Sequence, residues 1–508
     1  MRNITSTQQE ILNSNERKVV QTVKIYRNDY PDTPINITSR VEDIRINYDL
    51  NSRNATCQLT IDNSDYTYSP HNRNSNINQV NSVYNPLLYP NHKVEIFAGF
   101  ETSQGNEEWQ LFTGITGDEI NTQTIPGKIL MTIRDMSKRL QDKYVYLSQS
   151  YDYQLAEDVI QGLLNEFGFT DINLIVSEPT NYVIQHYQIK DSNLWDGLQK
   201  IADLMGWILM FNYKGDLIFK KVNDGSSPAK IFGENEFIRE EINITDADIR
   251  NVIKVKVQTP DGVIDVELRD QSSIDEFGER FMEVDRDLSS MIHTYEQAFQ
   301  LASAILRDLA HFKEPYTLPL PLYPPIELDD IVASQSSKTG LEGTELFKVV
   351  GIEHQISATS KRTVLNLQSY IPPEETTGKI PNPPSGLIGE IISREINNYP
   401  NSGWTGNTKT VYYPKISFTK PTQNTDGTAL DNLAGYLVAR STTSSTDGFI
   451  QLKSVPAFDA QGNDRTFFID YSAPAGNCWY KMAAINTQGR ISSYSGMVQV
   501  TVPTVNIS

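Results

Sequence analysis

The sequence predicts an α+β chain, mostly β: two related barrel-like β domains, a small α/β insertion domain between them, and a β-sandwich at the C-terminal end. Three observations carry this. Two distant stretches read as similar strand hairpins, one stretch between them switches to helical spacing, and a proline- and glycine-rich run sets off the last hundred residues. The 25 Tyr and 25 Pro, with many Asn and Thr, favour strands and structured loops.

The first hairpin runs from Trp109 to Asp135. Leu111 to Ile120 suits a pleated sheet, Ile125-Pro126-Gly127 punctuates, and Ile129, Met131 and Ile133 alternate with Leu130, Thr132 and Arg134. The second runs from Glu345 to Ser357 and returns through Thr363 to Ser369. Each contains Leu-Phe, reaches an isoleucine before a polar turn (Ile120, Ile356), and is preceded by a short strand, Lys93 to Gly99 or Asp329 to Ser334. The register slips by one residue and any two antiparallel hairpins share alternation, so duplication and coincidence both stay open. If the copies are related, three chains present six modules.

In chain order, residues 1–18 form an N-terminal arm and 19–148 the first barrel-like domain. Its strands fall at Val19 to Tyr26, Val41 to Tyr48 and Ala55 to Asp62, with Cys57, Leu59 and Ile61 on one face. The polar loop between Asn63 and Asn91 is long for a compact domain and suggests contact with a neighbour. Residues 149–237 form the α/β insertion domain. Leu155, Val159, Ile160, Leu163, Leu164 and Phe167 mark one helix, stopped at Gly168; Leu194, Leu198, Ile201 and Met205 mark another, with Ser192 as its N-cap and Gly206 as its end. Trp207 to Asn212 and Leu217 to Val222 flank a tight turn.

Residues 238–373 form the second barrel-like domain, with a helix at 294–313 whose face holds Tyr295, Phe299, Ala302, Leu306 and Leu309. The prolines of Tyr316 to Pro325 predict an extended connector kept out of a sheet interior. Residues 374–405 read as a linker. The last domain, 406–503, resembles fibronectin type III through Gly435-Tyr436-Leu437-Val438 and through Tyr480, Met482, Ala484, Asn486 and Gly489. The resemblance implies a corner role for Tyr480, its hydroxyl capping a backbone group.

Chemistry is sparse. No phosphate-cradling loop, dinucleotide turn, Gly-Xaa-Ser-Xaa-Gly elbow or His-Glu-Xaa-Xaa-His pair occurs. The six histidines, His71, His92, His186, His293, His311 and His354, are scattered, and Cys57 and Cys478 lie far apart. The closest acidic clusters, Asp285-Arg286-Asp287 and Asp329-Asp330, read as turn or surface residues rather than a glycosidase pair. No catalytic, cofactor-binding or metal-ligating residue is therefore expected, and no enzyme activity. A net charge of −19 argues against a nucleic-acid grip. Met1 to Asn15 lacks a signal-peptide core, and no run approaches the roughly 20 apolar residues of a membrane span, which predicts synthesis in the producing cell's cytoplasm.

Residues 1 to about 373 resemble the central hub proteins of phage-tail baseplates and related contractile injection systems. The resemblance rests on the Leu-Phe-Thr-Gly hairpin ending in Thr-Ile-Arg-Asp, on Leu-Trp-Asp-Gly-Leu-Gln-Lys-Ile-Ala within the insertion, and on Pro324 to Ile331 leading into the second module. It implies a virion structural protein: a homotrimer with pseudo-sixfold symmetry that joins a hexameric tail tube or distal tail protein to a trimeric spike or tip. Other baseplate proteins and a tape measure protein are further implied partners, with DNA met only in transit during ejection. The C-terminal sandwich is left to decorate the periphery or to touch a host cell-surface glycan. Two competing classes stay open, a receptor- or glycan-binding tail-tip protein and a secreted carbohydrate-active enzyme.

Overall fold

The computed structural model describes all residues except 3, 15, 29, 180–182, 243–245, 260–261, 285–291, 293–294, 311–313, 371–378, 398–407, 431–432, 458–463, 487–489 and 505–508. Two compact units emerge, Met1–Thr245 with Lys313–Pro373, and Asp246–Phe312 with Glu374–Ser508. The acidic cluster Asp285-Arg286-Asp287, together with His293 and His311, lies outside the described residues.

The first unit opens with α1 (Ser6–Asn13), closed at its start by a reciprocal Thr5 and Gln8 capping box. Then come β1 (Val19–Arg27), β2 (Tyr30–Asn36), β3 (Val41–Asp49) and β4 (Asn54–Asp62). The long polar loop carries a 3-10 turn (Asn76–Asn78) and the two-residue strands β5 (Gln79–Val80) and β6 (Val83–Tyr84). It is pinned by its own amides: Asn78 Nδ2 donates to Ser69 O at 2.8 Å, while Leu87 and Leu88 are fully buried in the core. β7 (Lys93–Thr102), β8 (Gly105–Gln123) and β9 (Lys128–Asp135) complete this half. The expected alternation holds, with Ile129, Met131 and Ile133 buried on β9 and Cys57, Leu59 and Ile61 buried on β4.

The insertion follows as α2 (Ser137–Gln141), β10 (Tyr144–Leu147), β11 (Tyr151–Leu155), α3 (Ala156–Glu166), β12 (Leu174–Val176), β13 (Val183–Tyr187), β14 (Lys190–Asn193), α4 (Leu194–Met205), β15 (Trp207–Phe211) and β16 (Leu217–Lys221). Gly168, Gly206 and Gly215 all take positive φ, as their stop and turn positions require. The N-cap of α4 is Asn193, one residue beyond the expected Ser192; its side chain accepts from Asp196 N at 2.8 Å while Ser192 remains in β14.

After β17 (Lys230–Gly233) and β18 (Glu241–Ile242) the chain leaves the first unit. It forms β19 (Val252–Thr259), β20 (Gly262–Arg269), α5 (Gln271–Phe277), β21 (Phe281–Glu283) and α6 (Tyr295–Leu309). It then returns for β22 (Pro315–Pro321), β23 (Ile331–Ser336), β24 (Leu341–Ser357) and β25 (Lys361–Tyr370). The stretch expected as one domain at 238–373 is thus interrupted. Among the described residues strands β19 to β21 bond only with one another, and Phe299, Ala302 and Leu306 of α6 are buried against that small sheet.

Thirteen strands of the first unit make one sheet, in the path β18-β22-β25-β24-β3-β4-β9-β8-β7-β1-β2, with β17 attached through β23. The two halves repeat one strand order. β1-β7-β8-β9-β4-β3 in the first matches β17-β23-β24-β25-β22-β18 in the second, each partner set appearing in the same chain order. One pairing differs in sense, since β1 meets β7 antiparallel whereas β17 meets β23 parallel. The thirteen strands form a continuous sheet in which, among the described residues, no ladder closes either half on itself, and a single core runs from Leu12 to Leu367.

The proline-rich connector is in fact β22, between β18 and β25. Pro315, Pro319 and Pro321 share one parity, so their missing N–H groups all fall on one edge. That edge faces away from β25, where Leu322 N donates to Lys361 O at 3.1 Å; on it, Pro319 O still accepts from Ile238 N at 2.7 Å.

The second unit ends in β26 (Ser385–Asn397), β27 (Thr408–Thr419), β28 (Leu433–Ser441), β29 (Ile450–Pro456), β30 (Phe467–Ile469), β31 (Gly476–Asn486) and β32 (Val498–Val502). Sheets β26-β27-β30 and β29-β28-β31-β32 enclose one core. The linker expected at 374–405 therefore contains a sandwich strand: Leu387 and Ile391 of β26 pack on the core, an apolar pattern that the flanking prolines obscured. Tyr480 is fully buried, but its hydroxyl donates to the Asp470 carboxylate at 2.8 Å rather than to a backbone group. Asp470 also receives Arg440 Nη1 at 2.7 Å, so a buried ion pair holds the corner.

Candidate assembly surface

Several of the described titratable groups tie separate segments of the fold together. Asp329 and Asp330 are buried, not surface residues, and sit in a turn before β23. Asp329 takes φ 68° and accepts from Asn223 N at 2.8 Å, with Lys220 Nζ at 3.2 Å and Lys348 Nζ at 3.4 Å. Two lysines and a loop amide from separate segments converge on one carboxylate, locking the end of the insertion to the second half. Asp330 accepts from Glu327 N at 2.8 Å and also receives the Met1 amine. His92 Nδ1 lies 2.8 Å from Leu87 O, and His186 Nδ1 lies 2.6 Å from Asp152 Oδ1 on an exposed strand. Among the described residues no three of His, Cys, Asp and Glu are grouped to hold a metal.

The two halves meet where β3 pairs with the distal part of β24. The ladder runs in register from Asp49↔Gly351 through Ile46↔His354 to Asp43↔Ser357. His354 is fully enclosed at this join, its Nδ1 2.9 Å from Thr363 Oγ1, and burial holds its imidazole down to about 3. Nearby, Tyr48 OH donates to Leu111 O at 2.5 Å, tying β3 to the first Leu-Phe pair. The arm adds a clasp: Arg2 N donates to Pro325 O at 2.9 Å, Nη1 donates to Gln110 O at 2.6 Å, and the guanidinium stacks 3.5 Å over Tyr213. One residue thereby touches both halves and the insertion.

The equivalent positions of the first half are open. Among the described residues, Glu119 to Gln123 at the distal end of β8 bond only to β9, and Glu119, Asn121 and Thr122 are exposed. Their counterparts on β24 are covered by β3, with Ile352, His354 and Ile356 buried. At the β8–β9 tip Ile125 is 90% exposed. A second apolar patch lies on the insertion, where Tyr144 and Tyr146 pack edge to face at 4.9 Å and Leu147 and Tyr153 are exposed nearby in sequence. Exposed apolar groups beside an unpaired strand edge are features of a surface that meets another protein. Sequence reasoning missed these positions, because which edges stay open depends on the long-range ladders; only the Leu-Phe repeat pointed to them.

No family model matches the chain, and no curated protein matches it. Solved structures do. The tail protein from Neisseria meningitidis MC58 superposes with a TM-score of 0.51 at 13% identity, covering 69% of this chain and 96% of that one. The 43 kDa tail protein of prophage MuSo2 from Shewanella oneidensis gives 0.48 at 13% identity over 70% and 98% of the two chains. Prophage tail protein gp18 from Listeria monocytogenes EGD-e gives 0.44 at 10% identity over 69% and 95%. At these identities the first similarity speaks of fold: about two thirds of this chain is folded like the Neisseria tail protein.

Proposed function

We propose that the chain is a structural hub of the tail baseplate or tail tip of a phage or phage-like particle. Three copies form a pseudo-sixfold ring that joins a hexameric tail tube to a trimeric spike or tip and lets DNA pass. The observation that carries this reading is the repeated strand order of the first unit, which puts two equivalent modules on one chain and so lets a threefold assembly present six. The fold shared with the Neisseria tail protein supports it. The ring acts by binding and catalyses no reaction. The C-terminal sandwich is a fibronectin type III-like module that decorates the particle or touches a host cell-surface glycan. If acids line the bore, their share of the −19 per chain repels passing DNA from the wall.

Light scattering on the purified full chain tests this. A mass of three chains is expected, together with capture of hexameric tail tube. A protein that stays one chain at all concentrations and ignores tubes would end the proposal.

A further inference from the structure

The first unit contains its own template for the contact between neighbours. Within the chain, β3 of the first half pairs with distal β24 of the second. By the shared strand order, β3 corresponds to β18 and β24 to β8. Among the described residues both counterparts are unsatisfied on the matching edge: β18 ends the path, bonded to β22 alone, and β8 beyond Thr116 is bonded to β9 alone.

The ladders fix the register. Leu367 and Ile133 are the buried residues beside each hairpin bulge, so Asn366 corresponds to Thr132, and Arg362 to Lys128. Arg362 faces Gln355 and Lys128 faces Gln123, which makes Gln355 and Gln123 equivalent. On the other side, Asn366 faces Thr317 and Thr132 faces Gln58, and these in turn face Glu241 and Arg45. Gln355 and Arg45 are directly opposite in the intrachain ladder.

We propose that β18 of one copy adds antiparallel to distal β8 of the next, with Glu241 opposite Gln123 and Ile242 opposite Thr122. One contact is then used six times around the ring, three times within chains and three times between them. The contact is heterologous, joining unlike edges, which is the kind that closes a ring rather than a twofold dimer. Ile242 and Ile120, each only partly buried on the core margin, are covered when it forms. The inference rests on the ring reading above, and its test separates the two.

The full chain is prepared as wild type and as Gln123→Cys and Glu241→Cys single variants; both native cysteines are buried. Directly opposed Cα atoms in an antiparallel pair lie about 4.5–5.5 Å apart, within the reach of a disulfide. Under mild oxidation, the two single variants mixed after dissociation and reassembly should give a covalent two-chain product at least ~10-fold above either variant alone. Glu119→Cys mixed with Glu241→Cys, four residues out of register, should not. Thermal midpoints close to wild type qualify each variant as folded. A wild type that weighs three chains while the matched mixture stays unlinked overturns the strand pairing and leaves the ring standing. A wild type that is always one chain overturns both.

Discussion

Asp135 and His354 pull the pH dependence of the first unit in opposite directions. Asp135 is fully buried and raised to about 6 by desolvation, although it accepts from Ala55 N at 2.7 Å and Ser137 N at 3.0 Å. A carboxyl raised in the folded state adds stability that is complete below its unfolded value near pH 4 and is lost as pH climbs through about 6, a change of about 3 kcal/mol. Asp135→Asn should flatten that slope in urea unfolding measured from pH 4 to 7. His354 behaves inversely: held down to about 3, it supports folding above roughly pH 6.5 and loses that support on acidification. His354→Asn should therefore move the acid-unfolding midpoint to lower pH. Asp329 is a third test. Asp329→Ala leaves Lys220 and Lys348 without their buried partner and should cost about 3–5 kcal/mol, whereas Asp329→Asn keeps a residue tolerant of φ 68° and should cost less in the same thermal scan. None of these contacts was legible from the sequence, where Asp329-Asp330 read as turn or surface residues. A carboxylate's role is set by which distant lysines fold onto it, and Lys220 lies in a different module.

Elements were far easier to read than these contacts. The period-2 strands β4 and β9 and the helices α3 and α4 appear where their apolar spacing put them, because a half-buried strand and an amphipathic helix leave different periods in the sequence. Prolines misled twice. In β22 they were read as keeping the stretch out of a sheet interior, when their common parity merely empties one edge; around β26 they were read as a linker. Gly114 of the Leu-Phe-Thr-Gly hairpin makes an element-level prediction. A Cβ there would sit 2.4 Å from Arg134 O and 2.5 Å from Phe112 Cε1, so Gly114→Ala must displace β9 or the buried ring. We expect a loss of about 1–3 kcal/mol in chemical denaturation, concentrated in the first unit.

At the scale of the molecule, the strand order was legible only as a hint. Two Leu-Phe hairpins suggested a repeat, but the matching order of six strands, and the fusion of both halves through β3 and β24, exist only once distant ladders form. The interruption at Asp246–Phe312 left no mark in the local pattern, since its strands look like any others. Finally, the prolines of β22 bear on which strangers this side of the first unit can accept. Three of its donors are missing along the outer edge, and the strand that covers that edge, β18, spans just Glu241–Ile242. An edge so short and so poor in N–H groups is a bad seed for stray β polymers. Foreign strands therefore find little to grip on this side of the first unit.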